Sequence, residues 1–303
     1  MKHKVSAALA AAAGAGVLTG ELYKYVFRRD SSALFEYFHR PGGHGEAFRA
    51  FREASAARLR ALPHTDYTIH SARGEALRGY YFPAGTAHNR IAFVIHGYRS
   101  NAMETAGMVQ PYYHSRGVDV FCCDLTASGE SGGDEIGFDV LETQDCLRWV
   151  AFLRQQFGPE VQILLHGFSM GAATVLQMSS HCPANVKAIV SDSAYQNARA
   201  SLWHQIGPLY TPLRYINRAV AGYDWNDSDV LDSLSHSTLP ILFVHGQDDK
   251  LVPFANGPTL YNFYQGEKDC LFPTGTRHIE SMFTASEEYA AKLDALLEKY
   301  FIP

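Results

Sequence analysis

No Lys/Arg cluster with interleaved aromatics occurs in the 303 residues, and the formal net charge is −5. That argues against nucleic acid as a partner. Cysteine is scarce, at five, an odd count, and no C-x-x-C pair points to zinc. Cys122 and Cys123 lie inside the apolar run Val118–Cys123, and Cys146 lies in a helical pattern. All three read as small buried hydrophobes. Cys182 and Cys270 could pair, but nothing in the sequence demands it. No internal repeat occurs, and the N-terminal alanines are the one low-complexity stretch.

A full membrane span is also missing at first sight. The run Val5–Gly20 has sixteen residues, whereas a spanning helix needs about 20. Extended to Phe27 it is long enough but takes in Glu21 and Lys24. Each charge costs about 2.5–3.5 kcal/mol at mid-helix, and less near an end. The basic start Met1-Lys-His-Lys, the apolar middle and the small residues Ala13-Gly-Ala15 fit a secretory signal. An uncleaved anchor fits nearly as well, and an Ala-rich soluble helix is the plain alternative. Basic residues flank both ends of the run and leave orientation open. Residues 1–27 are therefore expected to be a signal peptide or N-terminal membrane anchor outside the fold. The protein is expected to be exported or membrane-associated through this segment rather than cytoplasmic.

What is present is a substantial core: 47 % of residues are apolar and 13 % aromatic. The length suits one large α/β domain or two small ones. Residues 28–66 form a polar lead-in with a loop at Pro41-Gly-Gly-His-Gly45. Within it Phe48, Phe51, Ser55, Leu59 and Leu62 recur at helical spacing, so one face should pack on the body. From Tyr67 onward strands and helices alternate. Expected strands are Tyr67–His70, Leu77–Phe82, Ile91–His96, Val118–Asp124, Val161–His166, Val186–Asp192, Pro240–His245 and Asp269–Phe272. Expected helices are Met103–Ser115, Val140–Phe157, Ser169–Ser180, Ala255–Tyr264 and Glu280–Phe301. No helix separates the first two strands, which predicts a hairpin. The remaining βαβ units predict a mostly parallel eight-stranded sheet covered on both faces. Between Asp192 and Pro240 no strand is legible. A structureless loop of that length is improbable, so Ser193–Thr238 should be a helical insertion forming a lid.

The segment Val161-Gln-Ile-Leu-Leu-His-Gly-Phe-Ser-Met-Gly171 carries the strongest signal. It reads as strand, sharp turn and helix, with Ser169 at the apex between Gly167 and Gly171. Any Cβ on those glycines would crowd the neighbouring strand and helix, and the turn pushes the serine Oγ outward. The plain alternative is a helix-capping serine. A serine hydroxyl is a weak nucleophile and needs a base, and the base needs an orienting group. Loops at the carboxyl ends of parallel strands converge on one edge. After the penultimate strand comes His245-Gly-Gln-Asp-Asp-Lys-Leu-Val-Pro253. After the last comes Pro273-Thr-Gly-Thr-Arg-His278. The order Ser169, Asp249, His278 matches the order expected after a nucleophile elbow. Asp248 and Asp192 remain alternative acids. His96, His166 and His245 each precede a glycine at a tight exit and read as packing or supporting residues. An oxyanion needs donors, and the backbone N–H groups of Met170 and Tyr98 are the candidates.

These pieces together resemble the α/β-hydrolase superfamily over roughly residues 67–303. The matching pieces are H-G-Y-R-S-N at 96–101, D-L-T-A-S-G-E-S at 124–131, H-G-F-S-M-G at 166–171, H-G-Q-D-D-K-L-V-P at 245–253, and Arg277-His278. Within the superfamily the chain is similar to bacterial membrane-anchored or exported S9-peptidase-like and BEM46-like hydrolases. The resemblance implies the α/β-hydrolase fold and places the acid at Asp249. It departs at 124–131, where Leu-Thr-Ala-Ser stands in place of the usual arginine and glycine.

The expected function is a serine hydrolase of carboxylic esters or related acyl bonds, acting on a small-molecule acyl substrate with no cofactor and no metal. Tyr98, Trp203 and Trp225 are candidates to contact the acyl group, although the two tryptophans could instead hold the lid together. Peptidase, lipase and thioesterase activities remain open, the peptidase least favoured because there is no room for a propeller domain. A non-catalytic binding protein on the same scaffold is the alternative of another class.

Overall fold

Short unbroken apolar runs suit strands buried on both faces, and that is how the sheet is built. In the computed structural model, which describes residues 19–29, 45–85 and 89–301, the chain forms one eight-stranded sheet of order β1-β2-β4-β3-β5-β6-β7-β8. The strands are β1 (Thr65–His70), β2 (Ala76–Phe82), β3 (Arg90–Ile95), β4 (Asp119–Cys123), β5 (Gln162–Phe168), β6 (Val186–Asp192), β7 (Ile241–Val244) and β8 (Lys268–Leu271). Each lies within two residues of its expected ends. β1 and β2 form the expected antiparallel hairpin, and β2 also runs antiparallel to β4. All later pairings are parallel. β1 alternates exposed and half-buried residues, as an edge strand should, whereas every residue of β4 and β7 is buried.

Helices cover both faces. In chain order they are α1 (residues 19–27), α2 (Glu46–Arg60), α3 (Ala102–His114), α4 (Val140–Phe157), α5 (Met170–Met178), α6 (Ala198–Ile206), α7 (Tyr210–Val220), α8 (Val230–His236), α9 (Asn256–Phe263), α10 (Ser281–Thr284) and α11 (Ser286–Tyr300). One core joins Trp149 and Leu153 of α4, Val175 and Leu176 of α5, and the inner faces of β3 and β5. The other joins Phe48 and Leu59 of α2, Val109 and Tyr113 of α3, and Tyr289 and Leu293 of α11. The lead-in helix thus packs as its spacing predicts, with Phe48 and Leu59 buried and Phe51 and Leu62 half-buried. Each fully buried Leu or Phe contributes about 1.5–3 kcal/mol. The last expected helix is broken in two at Ala285 (φ −129, ψ 43). The segment between β6 and β7 is helical, formed by α6, α7, α8 and two short 3₁₀ turns. The five cysteines are all free thiols, so Cys182 and Cys270 do not pair.

One expectation needs correction. Most of the run Val5–Gly20 lies outside the described residues, but residues 19–27 are not outside the fold. They form α1, whose Tyr23 and Phe27 are buried in the first core. Arg28 continues into a bridge with Glu135. An N-terminal extension with aromatics at positions 23 and 27, one helical turn apart, has a face to bury, and the body supplies the partner. Among the described residues no helix is long and apolar enough to cross a membrane.

Candidate active site

β5 and α5 meet at Ser169, which takes φ 56 and ψ −118. Residues with a Cβ hold such angles only where the surroundings over-determine them. Backbone bonds do this. Ser169 N donates to Asp192 O at 2.8 Å, and Ser169 O accepts from Ala172 N at 2.9 Å and Ala173 N at 3.1 Å. The two flanking glycines remove the steric obstacle. A Cβ on Gly167 would lie 2.1 Å from Gly171 O, and one on Gly171 would lie 2.3 Å from Ile95 O.

The loop after β7 presents Asp249, which is buried. Its Oδ1 accepts from the N–H groups of Leu251 (3.0 Å) and Val252 (2.9 Å). Its Oδ2 faces His278 Nδ1 at 2.6 Å and His245 Nε2 at 3.3 Å. Burial alone would raise the Asp249 pKa. Electrostatic attraction to His278 and hydrogen bonds from His245 and His278 outweigh it, and the carboxyl is held well below its ordinary range.

His278 reaches this position because the loop after β8 lies tightly against the loop after β7. A Cβ on Gly246 would meet Thr276 O at 2.4 Å. With Nδ1–H given to Asp249, Nε2 is left as an acceptor, and Ser169 Oγ stands 2.8 Å from it. Ser193 secures the next residue: its Oγ accepts from Ile279 N at 3.2 Å and donates to Asp192 Oδ1 at 2.9 Å.

The fold therefore brings Ser169, Asp249 and His278 into one hydrogen-bonded chain. It leaves Asp248 exposed and sets Asp192 one step behind, on Ser193. Burial pushes the Asp192 carboxyl up to about 6. The part played by Ser193 had no separate sequence signal, although Asp192 at a strand end marked the neighbourhood.

The turn after β3 lies beside the serine: a Cβ on Gly97 would be 2.9 Å from Ser169 Cβ. Tyr98 follows it, and Met170 is the first residue of α5, where backbone N–H groups have no intrahelical acceptor. The three strand-end histidines are buried and hydrogen-bonded. His96 Nδ1 faces Gly97 O at 2.7 Å while its Nε2 accepts from Leu125 N at 3.0 Å. His166 lies between the hydroxyls of Tyr113 (2.7 Å) and Tyr289 (2.9 Å), and burial lowers its pKa to about 3. His245 also faces Val252 O at 2.9 Å.

Among the aromatics, Tyr98 is half-buried against Phe138 at 5.2 Å between ring centroids. Trp225 is fully buried, 4.1 Å from Phe27 and 6.0 Å from Tyr210. Trp203 is 51 % exposed. Trp225 thus belongs to the packing that ties the helical insertion to the body. Where the resemblance expects arginine and glycine, Thr126 donates to the buried Asp145 and Ala127 takes φ 60. Ala127 thus adopts the conformation that favours glycine.

Behind α5 lie two more buried carboxyls with no sequence signal. Asp139 accepts from Thr174 Oγ1 at 3.1 Å and from Ser228 Oγ at 3.3 Å. Glu142 accepts from Gly137 N at 2.7 Å. Burial pushes Asp139 up to about 7. Burial, reinforced by the neighbouring Asp139 charge, pushes Glu142 up to about 8. Among the described residues, no group of three His, Cys, Asp or Glu is arranged to hold a metal ion.

A family model described as alpha/beta hydrolase fold matches residues 93–214, which run from within β3 through Ser169 to the start of α7. The esterase Pf2001 of Pyrococcus furiosus superposes with a TM-score of 0.65 over 80 % of this chain and 95 % of that one, at 20 % identity. The chain has the α/β-hydrolase fold. Among curated relatives, the uncharacterized protein YqkD of Bacillus subtilis is 23 % identical over 77 % of this chain and 79 % of its own length. The lysophosphatidylserine lipase ABHD12 of Danio rerio is 27 % identical over 49 % of this chain and 40 % of its own length. The α/β-hydrolase sheet explains why the three polar residues meet. Ser169, Asp249 and His278 each follow a different parallel strand, and those strands end on one edge.

Proposed function

We propose that this protein is a serine hydrolase that cleaves carboxylic esters or related acyl bonds through an acyl-enzyme. One observation carries the proposal: the continuous hydrogen-bonded chain Asp249–His278–Ser169, with links of 2.6 and 2.8 Å. Ser169 Oγ attacks the acyl carbon while His278 Nε2 takes its proton. The imidazolium so formed is stabilised by Asp249 and then protonates the departing alkoxide. Water, activated by the same histidine, attacks the acyl-enzyme and restores the serine. The N–H groups of Met170 and Tyr98 face the oxyanion, a contribution worth about 3–4 kcal/mol per donor where a side-chain donor was removed. The helical insertion acts as the lid, and Tyr98 lies at the mouth of the site. The names of two of the proteins above, an esterase and a lipase, are in keeping with acyl-ester substrates.

A fluorophosphonate probe tests the chemistry. The wild-type protein should be labelled, and Ser169→Ala should not. Equal labelling of both, or none of wild type, sinks the proposal and leaves a binding protein on a hydrolase scaffold. A panel of p-nitrophenyl esters of rising chain length, run beside aminoacyl-anilides, then separates esterase, lipase and peptidase.

A further inference from the structure

We propose that α1 is a positioning element of this site: its carboxyl end clamps the turn Gly97–Ser100 and so holds the Tyr98 N–H in aim. The inference rests on the acyl-transfer reading. A helix end leaves its last carbonyls without intrahelical partners. At the end of α1 these carbonyls are taken up by the loop after β3. Arg99 Nη2 donates to Tyr25 O at 2.6 Å and to Arg28 O at 2.9 Å, and Tyr98 OH donates to Val26 O. A guanidinium also suits the negative end of the helix dipole. Phe27 O accepts from Ile136 N at 2.8 Å.

The clamped turn is one that needs holding. It is closed by a bond from Ser100 N to Gly97 O at 3.2 Å, and Arg99 sits at φ 51. A non-glycine residue in that region is strained and persists only when its surroundings impose it. The Arg99 side chain supplies that constraint, since its Nε also donates to Tyr98 OH at 3.0 Å. Tyr98 and Arg99 are thus tied through their side chains to a segment more than seventy residues earlier in the chain. The far side of α1 is anchored as well. Phe27 packs on Trp225 and Phe138, and Tyr23 OH donates to Asn217 Oδ1 at 3.0 Å. Asn217 and Trp225 both belong to the insertion, so α1 bridges the lid and the oxyanion turn.

The test uses full-length variants, with kcat and KM for p-nitrophenyl butyrate, fluorophosphonate labelling rate and Tm as readouts. Arg99→Met should lower kcat about tenfold to a hundredfold, the scale of a small misplacement, with KM nearly unchanged. Arg99→Lys should recover part of that loss, because an ammonium can still reach a carbonyl. Phe27→Ala should lower kcat from the other side. The Phe27→Ala/Arg99→Met double variant should fall no further than the worse single one, because both break the same link. Tyr98→Phe removes a single hydroxyl and carries the test if Arg99→Met does not fold; a several-fold loss of kcat is expected. Normal kcat and labelling in Arg99→Met or Tyr98→Phe, with only Tm lowered, would make the clamp purely architectural. A rise in kcat/KM for long-chain esters in Phe27→Ala would make α1 a plug instead. Both outcomes overturn this proposal while leaving Ser169 labelled. Absence of labelling in wild type overturns the acyl-transfer reading and this proposal with it.

Discussion

Gly97 and Ser169 are packed so closely that a methyl group on Gly97 would lie 2.9 Å from Ser169 Cβ and 3.1 Å from Phe168 O. The second of these is backbone at the end of β5 and has little room to give. Gly97→Ala should therefore displace the serine from its hydrogen bond with His278. The expected cost is about 1–3 kcal/mol of stability and about a hundredfold in kcat. Urea unfolding and ester kinetics check it; a variant with wild-type kcat would show that the turn relaxes away without consequence.

Two adjacent aspartates make opposite predictions. Asp249 is buried on His278, while Asp248 faces solvent and engages Thr276 O only through its backbone N–H at 2.9 Å. Asp249→Asn should lower kcat by about 10⁴, through the wrong imidazole tautomer. Asp248→Asn should stay near wild type. If Asp248→Asn or Asp192→Asn proves the more damaging, the acid assignment is wrong.

The two tryptophans of the helical insertion should also separate. Trp225→Ala removes a fully buried ring and should cost about 3–5 kcal/mol. Trp203→Ala, at a side chain 51 % exposed, should shift stability by less than about 0.5 kcal/mol. Thermal unfolding of both variants decides between packing and surface roles.

The buried Asp139 sets a pH dependence of stability. Its carboxyl is raised to about 7 in the folded protein, against an ordinary value near 4 when unfolded. Across roughly pH 4–7 the unfolded chain releases the proton while the folded one keeps it. Stability from this group is therefore complete at low pH and falls as pH rises, levelling off above the folded value. Glu142, raised to about 8, extends the decline. Asp139→Asn should flatten the profile by on the order of a few kcal/mol over this range. Asparagine also tolerates the positive φ at this position, which is 75°. An unchanged slope of Tm against pH in the variant would count against a titrating Asp139.

Much of this architecture was legible locally. Strands β3 to β7 are apolar runs because both of their faces are covered, so β propensity and tertiary burial agree there. Gly167 and Gly171 were legible because a strand-to-helix reversal leaves no space for a Cβ, and short-range geometry enforces that. The candidate triad was legible as an order along the chain, because strand ends share one edge in a parallel sheet.

The choice between Asp248 and Asp249 was not a local matter. Both follow β7, and sequence alone separated them only through resemblance; the buried partners His245 and His278 separate them in space. The same holds for Trp203 and Trp225, which share a composition and a segment but not an environment.

The docking of residues 19–27 is the clearest case. Their apolar, small-residue context reads as a leader or anchor, since periodicity reports that a face will be buried but not against what. Local sequence patterns set the eight strands, their order and the residue types at each strand end. That α1 closes on Tyr98 and Arg99 emerges only in the folded chain. Those contacts join positions some seventy residues apart through helix-end carbonyls, groups that every residue carries and no side-chain pattern reveals.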